Sequence, residues 1–182
     1  DIPAFLTGDA ADPWLRFGGL KGFTDGSLGG HTAYFFDPYN DAPDNCGLLL
    51  PDMFPAGAME QRIREADQAG IPVSIHAIGD KANSILLDIF ESVAGHNGPR
   101  DRRLRIEHAQ HLRQSDIERM GRLGVIASVQ PAHLIDDGGW AERSIGVGRC
   151  QLTYPFRSLI EAGVRLAGGS DWPVAELSPL LA

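Results

Sequence analysis

From Ala56 onward the chain alternates short apolar runs with amphipathic stretches, a pattern that restricts it to βα units built on a parallel sheet. Met59, Ile63 and Ala66 recur at helical spacing between Ala56 and Ala69, Gly70 supplies a left-handed stop, and IPVSIH follows as a strand. Ala82, Ile85, Leu86, Ile89, Phe90 and Val93 form an apolar stripe on a second helix, with Asp80 as its expected cap. LRIEH at Leu104–His108 reads as the next strand. Ser115 and Glu118 make a capping box for a helix running toward Leu123, and VIASV is the strand after it. Pro155, then Phe156, Leu159 and Ile160 on one side, and Gly163 as the stop mark a last helix before the strand VRLAG. With an earlier strand predicted within Leu15–Thr24, the chain has five strands and no internal repeat.

Distances between strand ends sharpen this picture. His76 and His108 are 32 residues apart, close to the roughly 31 per unit expected when about 250 residues make eight βα units. The 55 residues from Lys21 to His76 imply an insertion, for which DPYNDAPDNCGLLLPDMFPAG, residues 37–57, is the candidate; its Pro, Asp, Asn and Gly density predicts a long surface loop. The expected fold class is therefore α/β, about five βα units of a TIM-type (β/α)8 barrel, carried by one domain over residues 1–182.

Charge excludes one class of partner. With 16 Lys and Arg against 24 Asp and Glu, the net charge of -8 leaves no surface for a nucleic acid. The one basic cluster, Arg100, Arg102, Arg103 and Arg105, reads as a solvated loop before a strand. Cys46 and Cys150 are too few and too far apart for a disulfide framework or a cysteine zinc site, and cytoplasm is the default compartment. No apolar run of about 18 residues exists to span a bilayer, and the start DIPAFLTGDA lacks the charged and apolar regions of a leader. A chain that opens on Asp1 and closes after a loop-like stretch is expected to be part of something longer.

His76 and His108 stand at equivalent strand ends, where a barrel places functional side chains and where two imidazoles can converge on one ion. Each is also open to a structural role. Asp171, in LAGGSDWPV, follows a third strand end among small residues that permit close approach; an Asx-turn or helix cap is its alternative. Lys21 is a strand lysine, either snorkelling at a rim or chemically used. Asp25 fits a turn cap, an ion pair or a substrate contact. Glu107 alternates to the opposite face from His108, where packing or a salt bridge is expected. DGSLGG has neither Walker nor dinucleotide spacing, and no GxSxG elbow offers a serine nucleophile.

Four segments, KGFTDGSLGGHTA at Lys21–Ala33, HAIGDKA at His76–Ala82, RIEHAQ at Arg105–Gln110 and GSDWPV at Gly169–Val174, together with SVQPAH at Ser128–His133, resemble the amidohydrolase family that includes N-substituted formamide deformylase-like enzymes. The resemblance keeps the family's order over nearly the whole chain. It implies strands four to eight of a metal-dependent barrel, with Lys21, His76, His108 and Asp171 as ligands of a divalent metal, zinc in kind, one or two ions. In binuclear relatives the lysine is carboxylated and bridges two metals. The resemblance further implies a hydrolase that cleaves C–N bonds of amides, formamides or cyclic amides through a metal-activated water, with Asp171 handling the proton and His133 and Asp25 in contact with a small amide-type substrate. Two features depart from the family: no two of the six histidines are spaced i, i+2, so the first-strand HxH pair has no counterpart, and Gly30-His31 stands where an arginine is usual after DGSLG. An open five-strand sheet is expected to self-associate through its edges and to be inactive in isolation. A non-catalytic or regulatory barrel that binds a small molecule, and a doubly wound binding domain, are the competing readings.

Overall fold

The computed structural model describes residues 18–177. Its centre is one parallel sheet of five strands whose spatial order follows the chain: β1 (Leu20–Phe23), β2 (Val73–Ala77), β3 (Arg105–His108), β4 (Ile126–Val129) and β5 (Arg165–Gly168). Parallel neighbours need a crossover, and helices provide it: α1 (Ala58–Gln68), α2 (Asp80–Asn97), α3 (Gln114–Leu123) and α6 (Phe156–Glu161). Among these α1 packs on α2, α2 on α3 and α3 on α6, a row of helices in chain order along one face. Strands added one after another with helices on one side describe an arc of a (β/α) barrel rather than a doubly wound sheet, whose order reverses and whose helices cover both faces.

Register explains which residues go where. Gly22, Ile75, Ile106, Ala127 and Leu166 share one row and, because alternate residues face opposite ways, pack toward the helices. Phe90, Leu86, Ile117, Met120 and Leu159 complete that core, all fully buried. The rows on either side put Lys21, Ser74, Arg105, Ile126 and Arg165, then Phe23, His76, Glu107, Ser128 and Ala167, on the opposite face. Strands of a parallel sheet usually read as unbroken apolar runs; these alternate because their second face carries charge.

Several local expectations change. The strand predicted within Leu15–Thr24 is β1, Leu20–Phe23, and residues 15–17 lie outside the described region. Helix α2 opens at Asp80 with Gly79 as its cap residue, so Asp80 is not the cap; its carboxylate instead accepts the Phe36 N–H at 3.0 Å, pinning the long β1–α1 connection to α2. Helix α3 begins at Gln114, one residue before Ser115, and the expected capping box does not form. Asp116 in its first turn is fully buried between Arg113 and Arg119, at 2.9 and 3.0 Å. Two helices were not anticipated: α4 (Pro131–Gly138) and α5 (Ala141–Cys150), the second kinked at Gly146 with φ 80°. Loop 37–57 is largely exposed, as its composition predicts, but it is anchored. Tyr39 is fully buried with Leu28, Phe35, Ile78, Ala141 and Ile145 in a second small core, and donates its hydroxyl to the Ala33 carbonyl at 2.8 Å. No helix among the described residues is long and apolar enough to cross a membrane.

Candidate metal centre

Strand β2 ends by delivering His76 to the carboxyl edge of the sheet, and the following loop fixes its ring. Nε2 donates to the Gly26 carbonyl at 3.0 Å, which settles the tautomer and leaves the lone pair on Nδ1. Asp25 lies behind it, Oδ1 being 3.5 Å from the same nitrogen. That carboxylate is fully buried and accepts the backbone N–H groups of Tyr34, Ile78 and Gly79 at 2.8, 3.0 and 2.8 Å. Burial, its largest influence, pushes the Asp25 carboxyl up to about 7 against the opposing pull of those amides. Its oxygens are spent on the backbone, and it does not line the cleft described below, so Asp25 is not placed to touch substrate; it ties the ends of β1 and β2 to the loop that carries Tyr34.

His108 closes β3 with φ at 74°, a left-handed conformation that costs a non-glycine residue energy and turns its ring from the helix side of the sheet into the strand-end cleft. It is 8% exposed, its ring centroid lies 4.6 Å from that of His76, and its Nδ1 is buried without a hydrogen-bond partner. His133, in the first turn of α4, stacks toward it with centroids 6.1 Å apart and planes 18° from parallel, and its Nε2 is likewise buried and unpartnered. Asp171 follows β5 on a turn with φ at 57°. One ligand atom each from His108, His133 and Asp171 lies within 4.8 Å of the others.

Lys21, His76, His108, His133 and Asp171 all line one open cleft of about 590 Å³ at the carboxyl ends of the strands. The tightest grouping differs from the four-residue set implied by the resemblance: His133 joins His108 and Asp171, while His76 flanks them and Lys21 stands two register rows deeper than His76. Burial holds the His76 imidazole below its ordinary pKa and pushes His108 down to about 3, helped there by His76, Lys21 and His133. Burial also lowers Lys21, against the attraction of Glu107 and Asp171. Neutral imidazoles with free lone pairs are the form that ligates metals, and a nitrogen–nitrogen–oxygen donor set suits zinc or a similar cation. The residues present therefore fit a divalent metal.

The far wall of the cleft holds residues to which the sequence assigned no role, among them Gln110 at the end of RIEHAQ. Asp137 Oδ2 accepts hydrogen bonds from Gln110 Nε2 at 2.7 Å and the Tyr154 hydroxyl at 2.6 Å, and burial raises its carboxyl above the ordinary range. His111 supports Gln110 from behind: it is fully buried, its Nε2 accepting from Gln110 at 3.0 Å and its Nδ1 donating to Thr153 Oγ1 at 2.8 Å. Leu28, Ile78 and Trp140 supply apolar lining. The nearest sequence signal is the run DDGGW at residues 136–140, two residues beyond QPAH, which carries Asp137 and Trp140. Glu107 forms the expected salt bridge, with Arg105 at 2.5 Å, yet it also shares a sheet face with Lys21 and His76.

Fold and cleft together define an α/β protein with a candidate metal centre at the carboxyl ends of parallel strands. Residues 3–182 match the amidohydrolase family, and the chain belongs to that family. It is 48% identical over 174 residues to the protein LONG AFTER FAR-RED 3 of Arabidopsis thaliana, covering 95% of this chain and 29% of that one. With the N-substituted formamide deformylase of Arthrobacter pascens it shares 29% identity over 171 residues, 91% of this chain and 30% of the relative. An uncharacterized metal-dependent hydrolase from Pyrococcus furiosus superposes with a TM-score of 0.83 at 33% identity, over 96% of this chain and 35% of that one. The chain thus spans about a third of the length of the proteins it matches.

Proposed function

We propose that this chain supplies the strand-four-to-eight side of a metal-dependent hydrolytic site that cleaves C–N bonds in amides, formamides or cyclic amides. The observation that carries the reading is the meeting of His76, His108, His133, Asp171 and Lys21 in one cleft, with two buried imidazole nitrogens that find no partner among the described residues. Membership of the amidohydrolase family and the hydrolase named among its relatives support the same chemistry.

His108 and Asp171 would hold the cation, zinc in kind, with His76 or His133 adjoining and Lys21 beneath them. A bound divalent ion supplies an acidic water and a positive pole for the substrate carbonyl. Asp171 takes a proton from the attacking water on a carboxylate oxygen and returns it to the departing nitrogen, which must leave as a neutral amine. Asp171 follows β5, directly after the small residues Gly169 and Ser170, and lines the cleft. Gly26 and Asp25 hold the His76 ring in one tautomer, so the free nitrogen already faces its task. Leu28, Ile78 and Trp140 exclude water from one wall of the cleft, which strengthens each electrostatic contact inside. A lowered Lys21 keeps more of its amine neutral, the form that adds carbon dioxide to become the carbamate of binuclear relatives.

The test is hydrolysis of a panel of N-substituted formamides, simple amides and cyclic amides by the intact protein loaded with zinc. Asp171→Asn is expected to lower kcat by about 10²–10⁴ with a smaller change in KM. Equal turnover by the variant would refute the assignment. Ligand binding without turnover of any member of the panel would instead favour the non-catalytic reading.

A further inference from the structure

We propose that His133 is itself a metal ligand, completing with His108 and Asp171 a three-residue site, rather than a contact for substrate. The inference rests on the metal-centre reading above and assigns within it a ligand outside the four residues implied by the resemblance. Three observations carry it. First, His133, His108 and Asp171 are the group whose ligand atoms approach within 4.8 Å of one another; around a tetrahedral zinc with bonds of about 2.0–2.1 Å, neighbouring ligand atoms stand about 3.3 Å apart, a contraction that modest side-chain rotation supplies. Second, His133 Nε2 and His108 Nδ1 are both buried and both without a hydrogen-bond partner among the described residues. Buried polar atoms are satisfied in the great majority of cases, and a cation held by these two residues and Asp171 would give the unpartnered imidazole nitrogens a partner. A substrate contact needs no such burial, since it has to meet a molecule arriving through the open side of the cleft. Third, the two rings are nearly parallel, 18° apart with centroids at 6.1 Å, so His133 is not simply packed edge-on against its neighbour.

The placement has a structural consequence. His133 sits in the first turn of α4, which starts at Pro131 directly after β4. Ligation would tie α4, and with it Asp137 and the far wall of the cleft, to the strand ends. His76, held by Gly26 with its ring 4.6 Å from that of His108, and Lys21 two register rows deeper then remain for a second ion or a bridging role.

The experiment measures zinc binding to the intact protein by chelator competition, the visible spectrum of its cobalt(II) form, and amide exchange across α4 with and without zinc. His133→Ala is expected to weaken zinc by about 1,000-fold, beyond the 10–100-fold typical of groups that only support a ligand. Its cobalt bands should change, and zinc-dependent protection of α4 should vanish. His133→Gln, close to histidine in size and hydrogen bonding but a poor ligand, is expected to behave like the alanine variant, and His133→Asp to recover most of the affinity. Zinc affinity within threefold of the parent and an unchanged cobalt spectrum in both the alanine and glutamine variants, with only KM affected, would overturn the proposal and leave the metal-centre reading standing. Failure of the parent to take up zinc at all would overturn both.

Discussion

Replacing Asp25 by alanine removes the acceptor for three backbone N–H groups at once, those of Tyr34, Ile78 and Gly79. All three distances are 3.0 Å or less, and the carboxylate is fully buried, so solvent cannot take its place without the loop opening. A buried donor left without a partner costs about 1–3 kcal/mol. With a water molecule admitted to the space of the lost side chain, about 1–1.5 kcal/mol per amide is reasonable, or roughly 3–5 kcal/mol in total. The measurement is the urea midpoint of the intact protein at constant m-value. His76 also loses the group 3.5 Å behind its Nε2, so zinc affinity should fall by about 10–100-fold. A stability change under about 1 kcal/mol, with zinc affinity untouched, would show that Asp25 neither ties the strand ends together nor fixes the His76 ring.

His111 gives the fold an acid sensitivity of its own. Burial pushes it down to about 3 from an ordinary value near 6.5, so the folded protein holds it neutral while the unfolded chain protonates it. Its contribution is full above about pH 6.5 and shrinks as pH falls toward 3; at 1.36 kcal/mol per pH unit, about 2 kcal/mol is lost by pH 5. Urea midpoints from pH 7 to 5 should therefore fall less steeply for His111→Gln than for the parent, and parallel curves would contradict this. Glycine substitutions offer a paired test on α2: an alanine Cβ at Gly79 would lie 2.2 Å from the Tyr34 carbonyl oxygen, whereas one at Gly95 meets nothing within 4 Å. Gly79→Ala should cost about 2–3 kcal/mol through forced displacement, and Gly95→Ala should stabilise by about 0.5–1 kcal/mol through helix propensity; thermal melts that rank them the other way would refute the packing described.

What the sequence made legible was whatever is periodic and local. The stripe from Ala82 to Val93 is α2 because every third or fourth residue meets the same sheet face, and IPVSIH and RIEH are strands because apolar side chains alternate between a helix-covered face and a charged one. The spacing of His76 and His108 was readable for the same reason, each sitting at the end of one repeat unit. Helices α4 and α5 were not, since Gly138, Gly139 and Gly146 interrupt any stripe, α4 buries no residue, and α5 packs through Ala141 and Ile145 on distant partners such as Leu28 and Tyr39. Long range also hid the site's finer order. Asp25 is bound to amides 53 and 54 residues away, and His133 approaches Asp171 across the β4–β5 crossover. No spacing rule in a single sequence reports such contacts.

The central claim, that side chains from β1, β2, β3, α4 and the turn after β5 share a metal, is tested most directly by anomalous diffraction at the zinc edge from crystals of the intact protein. The expected result is a peak in the cleft within coordination distance of His108 and Asp171, with His76 or His133 adjoining it. A protein saturated with zinc whose only anomalous peaks lie outside that cleft would contradict the claim.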